Sequence, residues 1–508
     1  MEEIRFADLI EEQAQRYGER CFITCSLTGQ KVSYTQLDRF VKEQSEQLRR
    51  LGVGKGDKVL LFMDNSVEFA VLYFAVTRCG AVAVPANTLL KEKELLYLLK
   101  DAQVRAVITE PLYREILRGS AGDLVEAVHE AAPFGREIQV LLLKECQDDG
   151  NAPCSQREDT AMLLYTSGTT GNPKGVILSY GNLLAKAEHI QEAHGLTQED
   201  VCLCVLPWFH INGLVITLIT PLYSGGQIVI GGKFSVSRFW KDIENYRVTW
   251  FSGVPTMYSH LLAKGIPEDR DYSSLRFARS ASSPLPVSVL EKFESICQVP
   301  VIESYGITEG CSQITTNPMP PKARKSGSVG LPFGNRIKIV DNEGRELPCG
   351  QVGEVLMQGD NITCGYYHKE EETKKAFSGD WFHSGDLGYQ DEDGYLFLDG
   401  RIKELINRAG EKFPPREVDE ILYQMEGVEL AAVAGVPDAV YGEEVAAFIK
   451  KKDGAVLDAK MVQEFCKDKI ASYKVPRKVY FLEDLPKGGN GKIQRLKLVE
   501  RYKKGEFE

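Results

Sequence analysis

Tyr165-Thr166-Ser167-Gly168-Thr169-Thr170-Gly171-Asn172-Pro173-Lys174-Gly175 sits between two apolar runs, residues 161–165 and 176–178. Those runs read as short buried strands, so the middle is a loop held by a rigid scaffold. Glycines let successive backbone N–H groups turn inward, forming a nest that suits phosphate oxygens. The hydroxyls add neutral donors and Lys174 adds a mobile positive charge. A flexible Ser/Thr/Gly surface loop seldom carries Pro-Lys-Gly locked between two strands. This is also not a Walker A loop, which needs G-x-x-x-x-G-K-[ST] opening a helix. Here Gly171 stands three residues before the lysine, and Gly175 follows it. Of the Gly-Lys pairs in the chain, Gly54-Lys55 and Gly491-Lys492 have Arg49 and Pro486 where the first glycine should be.

Working outward, strand-like runs alternate with helical periods: strand 58–62, helix 66–79, strand 81–85, helix 90–100 and strand 104–108. The rhythm recurs at 201–206, 228–230, 250–252 and 299–303, which indicates α/β layers with much parallel sheet. Near residue 340 the texture changes to alternating strands at 336–340, 352–358 and 394–398, joined by polar turns: a small antiparallel β unit. A compact α+β tail follows, with helices at 415–425 and 460–470 and strands at 430–435, 446–450 and 479–482. The expected fold class is therefore α/β. It has a large N-terminal domain of α/β layers plus a small β unit (1–400), and a small mobile α+β C-terminal domain (401–508).

The 72 acidic residues outnumber the 61 basic ones, and no basic block appears, which argues against nucleic-acid binding. The acidic N-terminus lacks a signal peptide's basic start, and the apolar stretch 213–223 is too short to span a bilayer. A cytoplasmic chain with no transmembrane segment is expected. Cys21/Cys25 and Cys202/Cys204 lie in strand-like runs, so buried free thiols are expected rather than a zinc site.

Further segments supply what a phosphate loop lacks. Ser304-Tyr305-Gly306-Ile307-Thr308-Glu309 follows a buried strand; its tyrosine can stack on a purine, its threonine can donate to phosphate and its glutamate can hold Mg²⁺. Trp381-Phe382-His383-Ser384-Gly385-Asp386 offers a carboxylate, and Asp399-Gly400-Arg401-Ile402-Lys403-Glu404 a guanidinium, for ribose hydroxyls. Pro486-Lys487-Gly488-Gly489-Asn490-Gly491-Lys492 puts a lysine on a glycine-rich loop.

Taken in this order, the segments resemble the adenylate-forming (AMP-binding) superfamily: acyl-CoA synthetases, peptide-synthetase adenylation domains and beetle luciferase. The resemblance covers essentially the whole chain. It implies that Thr166, Ser167, Gly168, Thr169, Thr170, Gly171 and Lys174 hold the β- and γ-phosphates of ATP. Tyr305 would flank adenine, Thr308 would contact the α-phosphate, Glu309 would bind Mg²⁺, and Asp386 and Arg401 would grip the ribose. Lys492 would reach the substrate carboxylate and α-phosphate, and Lys403 would be the hinge. Asn407, Arg408 and Gly410 belong to a stretch that resembles the loop entering for the second step, past which CoA's pantetheine arm would run. One departure stands out: the family's Lys-Thr-x-x-Gly-Lys has Gly488 and Gly489 here.

The implied reaction is ATP-dependent and AMP-forming. A carboxylate attacks the α-phosphorus to give acyl-AMP and pyrophosphate, and the thiol of CoA then displaces AMP. In Pro207-Trp208-Phe209-His210-Ile211-Asn212-Gly213, His210 stands where amino-acid-activating relatives carry aspartate; it resembles the gating aromatic of CoA synthetases. His210, Gly213, Leu214, Ser280, Ala281, Ser282, Gly306, Ile307 and Ser312 would line the acid pocket. Their small or neutral character favours a medium- or long-chain fatty acid. Oxalate ranks second, because residues 275–280, 316–330 and 404–408 look similar to the oxalate–CoA ligase branch, although Ser312 replaces that branch's histidine. Aryl acids rank third. The partners expected are the acid, ATP and CoA, with an acyl carrier protein and a second copy of the chain as further candidates.

Overall fold

The structure is a computed structural model that describes residues 6–121, 125–131, 137–143, 158–166, 173–267, 269–489 and 491–507. Two large sheets form the main body, one of seven strands and one of nine. In the first, Lys58–Phe62 pairs in parallel with Val82–Pro85 and Val104–Thr109. Residues Val59 to Phe62 are fully buried on both faces, the signature of a parallel strand covered by helices. At the edge of that sheet, Thr160–Thr166 and Lys174–Ser179 pair antiparallel, with Thr166 opposite Lys174. The two apolar runs flanking the glycine-rich loop are therefore arms of one hairpin.

The nine-stranded sheet runs parallel through Cys21–Cys25, Gln227–Ile230, Val201–Cys204, Trp250–Gly253, Phe277–Ser280 and Val301–Ile307. It ends antiparallel, where Val301–Ile307 meets Ser312–Thr316. Helix Val67–Arg78 is apolar all round and buried along its length, with the Ser66 hydroxyl accepting from the Phe69 N–H at 3.0 Å. A helix of that kind must lie inside, and it shares one core with helices Tyr34–Arg50 and Tyr180–His194 and with faces of both sheets.

The apolar stretch near 213–223 packs as Ile211–Leu214, a π-helical turn Val215–Ile219, and Thr220–Ser224, all nearly buried. The Thr220 hydroxyl donates to the carbonyl of Val215 five residues back, at 2.9 Å, which satisfies the widened turn. Among the described residues no helix is long and apolar enough to cross a membrane.

The antiparallel β unit is a five-stranded sheet containing Arg336–Val340, Gly353–Gln358, Trp381–Gln390 and Leu396–Arg401. A single turn, Ile402–Glu404, then leads into a second five-stranded sheet, built on the long hairpin Val428–Asp438 and Gly442–Lys451. Helices Arg416–Tyr423, Ala459–Lys467 and Arg495–Lys503 accompany that sheet, which carries its own cores. The chain thus forms a large N-terminal α/β domain and a small C-terminal one, and a cavity lies where they meet.

Candidate active site

Strand pairing assembles the centre of this cavity. Asp386 stands opposite Arg401 in the register of Trp381–Gln390 with Leu396–Arg401, and Arg401 Nε lies 2.9 Å from Asp386 Oδ1. The Tyr305 hydroxyl donates to Asp386 Oδ2 at 2.6 Å. Burial holds the Tyr305 phenol well above its usual range, while the neighbouring Asp386 carboxylate raises Arg401. Both groups therefore keep their protons at any working pH. Ser282, Tyr305, Gly306, Asp386, Arg401 and Lys492 all line one cavity of about 150 Å³.

Thr166 and Lys174 pair across the two arms of the hairpin that flanks the glycine-rich loop. Ser167, Gly168, Thr169, Thr170 and Gly171 lie outside the described residues. Lys174 Nζ sits 4.9 Å from the ring centre of Tyr366, and the Tyr366 hydroxyl donates to Glu309 Oε1 at 2.9 Å. Tyr366 thus ties the loop lysine to the carboxylate. The sequence reading missed it; the glycine before it, Gly365, has φ 145°, and a β-carbon there would lie 2.4 Å from Thr373 Cγ2. Burial raises Glu309, and the Tyr366 hydrogen bond opposes that shift. Thr308 begins the turn Thr308–Gly310 and stays half-exposed beside it. Among the described residues no group of three or more His, Cys, Asp or Glu could cage a metal ion. One carboxylate steadied by a phenol fits Mg²⁺, which is held through few protein ligands plus phosphate oxygens and water.

Behind Ser282 the cavity wall is polar but neutral. Asn212 Nδ2 donates to Ser282 Oγ at 3.1 Å, and Asn212 Oδ1 accepts from Ser252 Oγ at 3.1 Å and from Arg279 Nη1 at 2.9 Å. Burial pushes the His210 imidazole down to about 4, so it is neutral, and its ring lies 4.8 Å from that of Phe209. Gly213 and Gly306 are required by packing. A β-carbon would lie 2.1 Å from the Pro207 carbonyl oxygen at the first and 1.5 Å from that of Ser312 at the second. Leu214, Ser280, Ala281, Ile307 and Ser312 are buried, whereas Ser282 and Gly306 reach the cavity surface.

Lys492 arrives from the C-terminal domain. Its loop is pinned where Thr256 Oγ1 donates to the Gly491 carbonyl at 3.0 Å. A β-carbon at Gly489 would meet Phe209 Cζ at 2.8 Å, so the glycine at this position lets the loop seat on that ring. Enclosure between the domains, and next the Arg401 charge, bring the Lys492 amine down to about 8. On its other side the loop borders a second, apolar cavity of about 1330 Å³, whose walls include Phe209, Val254, Met257, Gly488 and Gly489. Lys403, Asn407 and Gly410 are exposed, and Arg408 is engaged with Glu444 at 2.7 Å; none of the four lines the 150 Å³ cavity.

A second clamp between the domains also escaped the sequence reading. His260 Nδ1 lies 2.8 Å from Glu429 Oε1, and Lys487 Nζ lies 3.3 Å from His260 Nε2. An ammonium can only donate, so Nε2 accepts and Nδ1 carries the proton toward Glu429.

Residues 10–367 match the family model described as AMP-binding enzyme, and residues 417–492 match the AMP-binding enzyme C-terminal domain. The sulfoacetate–CoA ligase of Cupriavidus necator is 37% identical over 500 residues, covering 97% of each chain. The oxalate–CoA ligase of Arabidopsis thaliana is 34% identical over 512 residues, covering 99% of each. The crystal structure of ATP-bound MatB from Rhodopseudomonas palustris superposes with a TM-score of 0.87 at 31% identity, over 98% of this chain and 99% of that one.

Proposed function

The chain belongs to the AMP-binding enzyme family, and on that premise we propose how its residues divide the work. It is an AMP-forming acid–thiol ligase that uses ATP, Mg²⁺ and CoA. One observation carries the division of roles: Tyr305, Asp386, Arg401 and Lys492, from four separate stretches of chain, converge on one cavity between the two domains.

Asp386 and Arg401 hold the ribose, with Tyr305 fixed against adenine by its bond to Asp386. Thr166 and Lys174 meet the departing phosphates, together with the loop residues 167–171. Glu309 would hold Mg²⁺, which supplies positive charge to the phosphate oxygens. Thr308 donates to the α-phosphate. Lys492 donates to the carboxylate and α-phosphate oxygens, where negative charge builds during attack; stabilisation aimed at that charge lowers the barrier. His210, neutral at pH 7, gates the acid end. We place the domain boundary at 400/401 with Lys403 as the pivot. The Lys492 loop is seated while the 407–411 turn stays outside, so this arrangement suits adenylation. Rotation of the small domain would then bring Asn407, Arg408 and Gly410 to the pantetheine path.

For the acid we favour a small carboxylate bearing a second anionic group over a fatty or aryl chain. The support is the polar Asn212–Ser252–Ser282 cluster, backed by a buried guanidinium, together with the substrates named for the sulfoacetate and oxalate relatives. Pyrophosphate release measured over oxalate, sulfoacetate, benzoate and fatty acids of graded length, with and without CoA, tests this. Turnover fastest with a small dianionic acid and dependent on CoA is expected. Preference for long chains would overturn the acid assignment, and thioester formed only on a carrier protein would overturn the acceptor.

A further inference from the structure

Arg279 is the largest buried cation next to the acid pocket, at 1% exposure in strand Phe277–Ser280. Its hydrogen bonds end on neutral oxygens: Asn212 Oδ1 at 2.9 Å, Ser252 Oγ at 3.1 Å, and Gln313 Oε1 at 3.3 and 3.4 Å. Among the described residues no carboxylate pairs with it. A buried charge without a counter-ion is costly, and proteins seldom keep one without use. Burial brings the guanidinium down only to about 10, so it stays charged at neutral pH. Its buried neighbour Lys186 behaves differently. That amine falls to about 7, through burial and with a contribution from Arg279, while it donates to the Gln313 carbonyl and to Asn335 Oδ1. The fixed positive charge here is therefore that of Arg279.

The charge has a route to the substrate. Asn212 accepts from Arg279 with its oxygen, which leaves its amide nitrogen to donate to Ser282 Oγ at 3.1 Å. Ser282 has φ 76°, a conformation a β-carbon resists, so something must hold it there. Ser282 lines the cavity while Arg279 does not.

We propose that Arg279 is a specificity-determining positioning residue: from behind the acid pocket it orients Ser282 through Asn212, and its uncompensated charge selects acids bearing a second anionic group beside the carboxylate to be activated. This rests on the ligase reading above and names the residue that sets its acid preference. A purely structural Arg279 would do no more than tie three strands together.

The test uses full-length enzyme and compares kcat/KM for oxalate against propionate and for sulfoacetate against butyrate. Asn212→Asp places a carboxylate on the guanidinium with little change in volume, neutralising the charge in place; Arg279→Met removes it. Each is expected to cut the preference for the dianionic acid about 10- to 100-fold, mainly through its KM, the scale of losing one interaction with a charged group. Adding Ser282→Ala to Arg279→Met should change the preference less than the two single effects combined. If Arg279→Met fails to fold, Asn212→Asp carries the test, because a merely structural arginine would gain a partner there and leave acid preference unmoved. Dianion preference retained in Asn212→Asp overturns the proposal alone; a wild-type enzyme without that preference overturns it together with the acid assignment.

Discussion

Replacing His260 by alanine should weaken one half-reaction and spare the other. The imidazole sits on helix Pro255–Lys264 of the large domain, and its partner Glu429 lies on strand Val428–Asp438 of the small one. The bond is 2.8 Å long, with the side chains 25% and 8% exposed. Burial lowers the His260 pKa, so at pH 7 a neutral ring donates to a carboxylate. Its loss leaves no orphan charge behind. Glu429 keeps Lys450 at 2.7 Å, and Lys487 keeps Asp484 at 2.7 Å. A hydrogen bond to a charged group contributes roughly 1.5–3 kcal/mol, and partial exposure reduces that to about 1–2 kcal/mol here. The seated arrangement should then be disfavoured about 5- to 30-fold relative to the rotated one. Pyrophosphate release in the first half-reaction should slow by up to that factor. Thioester formation from supplied acyl-adenylate and CoA should hold or rise, because in the proposed mechanism it uses the rotated domain. Equal losses in both half-reactions, or none in the first, would refute the clamp.

Lys492→Ala should cost adenylate formation about 10²–10³-fold while supplied acyl-adenylate is still converted to thioester, read by separate assays of pyrophosphate and thioester. In the role proposed for it Lys492 works as the cation, and enclosure between the domains brings its amine down to about 8. kcat/KM for adenylation should therefore fall as pH rises through about 8, and Lys492→Arg should abolish that falling limb. Tyr366→Phe removes the 2.9 Å bond to Glu309 and should raise the Mg²⁺ concentration for half-maximal rate about 5- to 10-fold, measured by metal titration at saturating ATP.

Local signals were strong where the chemistry is local. The hairpin around the glycine-rich loop could be read because that loop is flanked by apolar arms that pair in register. Strand boundaries drifted where runs continue into the site: Val301–Ile307 extends past the expected 303 and takes Tyr305 and Gly306 into the sheet. The contacts that were missed join distant positions, as Asn212 with Arg279 and His260 with Glu429. Arg279 sits in a strand buried on both faces, where alternation carries no information about direction. Gly489 looked like a departure from the family pattern; the ring of Phe209 explains it only once the loop is seated.

The loop that brings Lys492 into place is at once a wall of the larger apolar cavity, with Gly489 resting on Phe209 and Gly491 held by Thr256. One segment therefore works as a valve. Seated, it narrows approach from the apolar side; the proposed swing that withdraws Lys492 would widen it. On the proposed two-arrangement mechanism an incoming thiol would approach most freely once the amine has left, and the order of the two chemical steps would follow from which body fills a shared space.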